Sequence, residues 1–431
     1  MGILRHECHL HLYGCLDKHE VWLRLKERSR QFHARFEWYI AEHKRLTGAP
    51  PQTDLWWNED NGLKIFVQDF VCNRPMSFDT FQAKFNLLIA LFPPNPDDLD
   101  LAKTVFQSDQ RGGGVKEYRV FLPLYLTSDA RSLYLRRLIY LARDYETSQY
   151  RPRLAISIQR QDEDAWNSYE FLLQFLHKNS DIAPWITGID FCGNELGHPP
   201  SQKRRLFKRV AVDNQQRHHQ LAILYHVGEM WQNLALHSAA RWCVEAVHLG
   251  VTRLGHALAL GMNPETLRGR CILENVDESA AHLSWLKQHG RSLHEFGFSP
   301  NDYGWVARQT EISRVGEHTQ WIYHDDLIEH TKKLQDALMN MVSISGAAIE
   351  CCPTSNIRIG GLRDPRHHPL QRFLAHHIPI TIATDDPGIF DLTLDSEERF
   401  VSDHLGVSKR QLQSANDLAQ FLCLGLTQTR N

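Results

Sequence analysis

The chain has 431 residues, 42% of them hydrophobic, and its 48 basic residues nearly offset its 51 acidic ones, for a formal net charge of −3. That length and apolar content exclude a disordered chain and allow either one large barrel or two to three ordinary domains. The charge balance gives no general attraction to nucleic acid or an anionic membrane, so a partner must be recognised locally.

No charged leader followed by an apolar run opens the chain, and no stretch approaches the roughly 18–20 apolar residues that a membrane span needs. A soluble cytoplasmic protein with no membrane or nucleic-acid partner is expected. Nine cysteines are scattered without a CxxC pair and read as mostly buried, reduced thiols.

In chain order, short runs rich in apolar and β-branched residues predict eight strands. They lie at Leu4–Leu12, Lys116–Pro123, Arg153–Arg160, Ile186–Gly193, Leu221–Glu229, Thr252–Leu258, Ala347–Pro353 and Ile380–Pro387. Segments with helical period separate most of them, such as Arg131–Tyr145 and Ser238–Gly250, the latter ending on a glycine suited to a helix C-terminus. The alternation predicts an α/β fold, a (β/α)₈ TIM barrel, with residues 1–431 as one domain. A doubly wound sheet is the alternative, but HLHLYGCL after the first strand lacks the GxGxxG loop such sheets use.

Two connections are too long for a plain barrel. Asp17–Gly114 carries helix-like stretches at Val21–Leu46 and Met76–Phe92, and Gly261–Gly346 carries an aromatic, turn-rich stretch at His294–Asp326. Both are expected as helical insertions at the C-terminal mouth of the barrel, where long ordered loops are usually functional.

The strand ends concentrate chemistry. His9 and His11 end strand one, His226 ends strand five, His256 ends strand six, and Asp385 with Asp386 ends strand eight. Residues two apart on a strand share a face, with Cα atoms roughly 6.5–7 Å apart, so His9 and His11 can converge on one ion. His226 and Asp385 would complete a nitrogen and oxygen shell suited to Zn²⁺, and an ion there lowers the pKa of a water to about 7. Glu229, three residues beyond His226 in HVGE, is a candidate acid or proton shuttle. His256 is a candidate base or electrostatic partner for that water, and Asp386 is free to accept a hydrogen bond from the substrate. Taken singly, each of these reads more readily as a core histidine, a solvated pair or a turn. Their joint fall at the ends of strands one, five, six and eight is what points to a metal site.

HLHLYGCL, GIDFCGNE, HVGE, RLGHAL, CCPTSNIRIGGL and ATDDP, in that order, resemble the motif set of the adenosine deaminase family within the metal-dependent amidohydrolase superfamily. The resemblance runs from about His9 to Leu424. It implies one zinc ion per subunit on His9, His11, His226 and Asp385, since GIDFCG lacks the strand-four lysine that bridges two ions in binuclear relatives. It also implies that Glu229 protonates a purine ring nitrogen, that His256 orients and helps deprotonate the attacking water, that Asp386 hydrogen-bonds a second ring nitrogen, and that the Gly193 backbone contacts a third. His11 belongs to the substrate-binding set as well.

The sequence departs from the family at Tyr13, where an aspartate usually holds the ribose, and in the length of the 261–346 connection. Tyr13 is expected to meet the substrate's sugar end with one hydrogen bond. The expected reaction is deamination of adenosine or deoxyadenosine to the inosine product and ammonia. The same chemistry on AMP, ATP or a modified adenine nucleoside, and a silent purine-binding or assembly protein, remain the alternatives. The long aromatic insertion is free to cap the pocket or to make a homo-oligomer contact.

Three weaker features read as structure. RGGG (Arg111–Gly114) precedes a strand and reads as a turn, and QKRRLFKR (Gln202–Arg209) reads as a solvated helix face. The pairs His218–His219, His367–His368 and His376–His377 read as surface.

Overall fold

Each of the eight predicted strands is present in the computed structural model, which describes residues 4–160, 162–232 and 234–424. They are β1 (Glu7–His11), β2 (Gly114–Phe121), β3 (Tyr150–Ile158), β4 (Ile186–Phe191), β5 (Ala222–Val227), β6 (Arg253–His256), β7 (Ala348–Cys351) and β8 (Ile380–Ile382). All neighbours pair in parallel and in chain order. A parallel bridge between Leu10 and Asp385, with the His11 amide donating to the Asp385 carbonyl at 3.0 Å, joins the end of β8 to β1. Closure of this kind removes the sheet edges and places His11 beside Asp385, although 374 residues separate them in sequence.

Helices Ser128–Tyr145, Asp162–Lys178, Arg204–Gln215 and Leu236–His248 follow β2 to β5 in turn, and Asp325–Ser345 leads into β7. The strands are buried on both faces, as parallel strands under a helical jacket must be.

The first long connection is helical and covers the mouth, as expected. It comprises α1 (Lys18–Gln31), α2 (His33–Thr47), α3 (Gly62–Phe70), α4 (Phe78–Leu91) and α5 (Asp100–Gly112). The single helix expected over Val21–Leu46 is broken at Phe32, so that Val21 and Leu25 on one side and Phe36 and Tyr39 on the other all reach the core. α4 starts where the Ser77 hydroxyl accepts the Thr80 amide at 3.2 Å. Phe78, Phe81, Phe85 and Ile89, at three- and four-residue spacing, face the cavity described below.

The second connection corrects the expectation. Cys271–Asn275, Arg314–Val315 and His318–Ile322 form a three-stranded antiparallel sheet among its helices, and among the described residues none of 261–346 lines that cavity. The strand period was present in the alternating burial of CILEN and HTQWI, where Ile272, Glu274, Thr319 and Trp321 point inward. The buried face packs on the start of helix Leu236–His248, where Glu274 accepts the Ala235 amide at 2.9 Å and the Ser279 hydroxyl at 2.7 Å. No helix among the described residues is long and apolar enough to cross a membrane.

Candidate active site

A cavity of about 780 Å³ opens at the C-terminal ends of the barrel strands, within the range of pockets that enclose small ligands. His11, Gly193, His226, Glu229, His256, Asp385 and Asp386 all line it.

At its floor four donor atoms converge. His9 Nδ1 lies 2.7 Å from Glu350 Oε2 and His226 Nδ1 lies 3.0 Å from Asp190 Oδ1. Each imidazole therefore gives its Nδ1 proton to a carboxylate and turns a lone pair on Nε2 inward. His9 Nε2 is buried without a hydrogen-bond partner, 3.4 Å from Asp385 Oδ1. His11 Nε2 stands 3.2 Å from His226 Nε2 and 3.4 Å from the same Asp385 oxygen. Lone pairs facing one another at these distances repel unless a cation lies between them. With metal–ligand bonds of about 2.0–2.1 Å, the donors of a tetrahedral site stand about 3.3–3.4 Å apart, so the three imidazoles and one carboxylate fit a zinc-type ion. Burial pushes the His11 pKa down to about 3 and lowers that of His226, keeping both neutral as ligands require. Cys352 reaches the same cluster, but burial and the nearby carboxylates of Asp385 and Glu397 push its thiol pKa far up, which leaves it protonated.

The backbone is strained here. His256 and Asp385 have φ of 62° and 66°, in the left-handed region that residues other than glycine rarely adopt. The Asp385 Oδ2 atom accepts the Ser355 hydroxyl at 2.7 Å, which turns Oδ1 toward the histidines. Gly255 lets β6 pass close to them, since a Cβ there would lie 3.0 Å from His9 Cε1.

Glu229 is 7% exposed. Burial, reinforced by the Asp385 and Glu195 carboxylates, raises its pKa well above the usual range. The same causes, burial first and then Asp385, raise Asp386. Asp386 Oδ1 is buried without a partner, free to make a hydrogen bond to a group in the cavity. His256 Nε2 lies 3.7 Å from Glu229 Oε2.

Tyr13 stands apart from the rest. It lies in the 3-10 turn Leu12–Cys15, is 4% exposed, and does not line the cavity. Its ring sits with Leu12, Phe92 and Tyr134 around a smaller neighbouring space. The turn carries the residue after HLHL away from the mouth, so Tyr13 does not reach the cavity where a substrate contact was expected. One position on, Gly14 matters more. A Cβ there would lie 1.7 Å from Asp386 Oδ1. Gly14→Ala should therefore displace that carboxyl and lower kcat/KM by about 10²-fold with little change in the thermal midpoint; an unchanged kcat/KM in the folded variant would refute the role of this contact.

Several functional residues escaped the sequence reading. Arg160 donates from Nε to the Cys192 carbonyl at 3.2 Å and from Nη2 to those of Phe191 at 3.1 Å and His226 at 2.5 Å, tying the ends of β4 and β5 together. Glu195 accepts the amides of Gly228 at 2.7 Å and Met230 at 2.5 Å, which fixes the loop carrying Glu229. His368, read as surface from its position in a histidine pair, is 6% exposed and sits behind Asn356.

Comparison with known proteins shows what the chain is similar to. The family model described as adenosine deaminase matches residues 308–420. An aminodeoxyfutalosine deaminase from Acidothermus cellulolyticus is 44% identical over 79 residues, 18% of this chain and 22% of that protein. An adenosine deaminase from Escherichia coli O1:K1 / APEC is 24% identical over 262 residues, 56% of this chain and 79% of the relative. Among solved structures, the Arabidopsis N6-mAMP deaminase shares the fold with a TM-score of 0.55 at 16% identity, covering 97% of this chain and 96% of that one. The barrel, the ordered motifs and these matches agree in likening the chain to adenosine deaminases and related deaminases, which are hydrolases acting on C–N bonds.

Proposed function

We propose that this protein is a zinc-dependent aminohydrolase that converts adenosine or deoxyadenosine to the corresponding inosine and ammonia. The observation that carries the reading is the convergence of His9, His11, His226 and Asp385 donors beside a buried, protonated Glu229. A divalent ion held by those four residues supplies a water made nucleophilic near neutral pH.

The chain's own residues supply the rest. Glu229 gives its proton to the ring nitrogen beside C6, so that negative charge does not build up in the purine as the water oxygen bonds to C6. His256 orients that water, Asp386 hydrogen-bonds a second ring nitrogen, and the Gly193 backbone meets a third. The C6–N bond then breaks and the nitrogen leaves as ammonia. Of the two protons of the water, one ends on the ring nitrogen and one on the ammonia.

The cavity favours nucleosides over nucleotides. Among the described residues that line it, Arg160 is the only lysine or arginine, and three backbone carbonyls already engage its guanidinium. The exposed carboxylate of Asp79 lines the same space, an unfavourable neighbour for a phosphate. C6 and N9 lie at opposite ends of the purine, so with C6 at the floor the sugar points away from it, along a lining that includes Phe78, Phe81, Phe121 and Tyr125. This apolar wall supports a second reading, an adenine nucleoside bearing an apolar group on its 5′ carbon.

Ammonia release by zinc-loaded protein decides between these readings when measured on adenosine, deoxyadenosine, 5′-methylthioadenosine, AMP and ATP. Nucleosides should be turned over and methylthioadenosine at least as well as adenosine, while AMP and ATP should be worse by about tenfold or more. Preference for AMP would overturn the nucleoside reading. No turnover of any of them would overturn the enzyme reading in favour of a purine-binding protein.

A further inference from the structure

A chain of hydrogen bonds behind His256 starts at an unambiguous donor. The Leu370 backbone amide points at His368 Nδ1 at 3.2 Å, so that nitrogen is an acceptor. A neutral imidazole with an accepting Nδ1 carries its proton on Nε2. Burial holds the His368 pKa at about 3, so the ring is neutral. His368 Nε2 lies 3.1 Å from Asn356 Oδ1 and must donate to it. The amide orientation of Asn356 follows, since the oxygen faces His368 and the NH₂ group faces the other way. That group lies 3.1 Å from His256 Nδ1, which therefore accepts. With Nδ1 accepting, His256 carries its proton on Nε2, the nitrogen on the Glu229 side. All three side chains are at least nine-tenths buried, so water does not compete for these bonds.

We propose that Asn356 and His368 are positioning residues that lock His256 in the Nε2–H tautomer, so that His256 holds the attacking oxygen by donating a hydrogen bond and takes no proton from it. The proposal rests on the reading of the cavity as the deaminase site for its catalytic consequence, but the tautomer itself does not. It also explains why His256, although close enough to His9 and His226 to join a metal cluster, is not a ligand: its inward nitrogen has no lone pair to offer.

The test is the ¹⁵N NMR signature of His256 in zinc-loaded protein labelled on histidine, assigned by comparison with His256→Gln. The expected spectrum has a pyridine-type Nδ1 and a proton-bearing Nε2; a proton on Nδ1 would overturn the proposal whatever the enzyme does. Asn356→Asp replaces the donating amide by a carboxylate, which accepts from both neighbours and should transfer the His256 proton to Nδ1. In that variant kcat should fall roughly 10²-fold or more, as when a histidine is held in the wrong tautomer, with KM changed by less than about threefold. A folded Asn356→Asp protein with normal kcat and the wild-type signature would overturn the proposal. If that variant does not fold, the wild-type spectrum still decides. Failure of the deaminase reading would appear separately, as absent turnover in protein whose His256 carries the expected tautomer.

Discussion

Glu229→Gln should reduce kcat by about 10³-fold, within the roughly 10²- to 10⁴-fold range for a positioned acid, while leaving bound zinc at one equivalent. The substitution keeps the shape of the side chain and removes only the acidic proton. The carboxyl suits that role because its setting penalises the anion. It is 7% exposed, and the carboxylates of Asp385 and Glu195 add further negative charge around it. Its loop does not depend on the carboxyl for its place, because Glu195 holds the flanking amides of Gly228 and Met230. Loss of rate in this variant therefore reports chemistry and not a moved backbone. His226→Ala provides the contrast, since it removes a donor atom and should lose both zinc and activity. Metal content by elemental analysis together with single-turnover kinetics checks both, and a Glu229→Gln enzyme with near-normal rates would show that the proton comes from elsewhere.

Much of the site could be read from the sequence because it sits where strand periodicity stops. His9, His11, His226, His256 and Asp385 interrupt otherwise apolar runs at their C-terminal ends, and a barrel brings all those ends to one face. The groups that orient them were hidden for the opposite reason. Asp190 and Glu350 lie within β4 and β7, where a charged residue in a short strand gives no hint of which histidine it will meet. Asn356 and His368 pair across a short helix and a turn, a contact set by tertiary packing alone. The direction of Tyr13 depended on the 3-10 turn at Leu12–Cys15, and strand periodicity extended past His11 would have aimed it into the mouth with His9 and His11. The sheet in the second insertion carries no such signal, because CILEN and HTQWI alternate in burial but not in polarity, with Glu274 and Thr319 buried and Leu273 and Ile322 exposed.

The group whose replacement should disturb the fold most lies beneath the metal ligands. Glu350 takes the His9 Nδ1 proton on Oε2, shares that oxygen with Arg119, and meets Arg253 Nε at 2.5 Å on Oε1. Arg253 also holds both oxygens of Glu117, at 2.9 and 2.7 Å. All four charged side chains are fully or almost fully buried in the barrel. Burial alone would raise the Glu350 pKa, but the two guanidiniums overcome it and hold the carboxyl well below its ordinary range. Glu350→Gln removes the carboxylate that Arg119 and Arg253 share, leaving them Glu117 and, 3.5 Å from Arg119, Asp190, and breaking a buried ion pair in this way costs about 3–5 kcal/mol. The same change weakens the acceptor that orients His9, which should lower zinc affinity about 10- to 100-fold. Urea unfolding of the metal-free protein measures the first effect and a competitive chelator titration the second. Adding Arg119→Met to Glu350→Gln separates them, because it removes the guanidinium that has lost its closest carboxylate without restoring the partner of His9. The double variant should regain part of the stability while zinc affinity stays low. Equal recovery of both, or no loss of either in Glu350→Gln, would show that this buried network does not support the metal ligands.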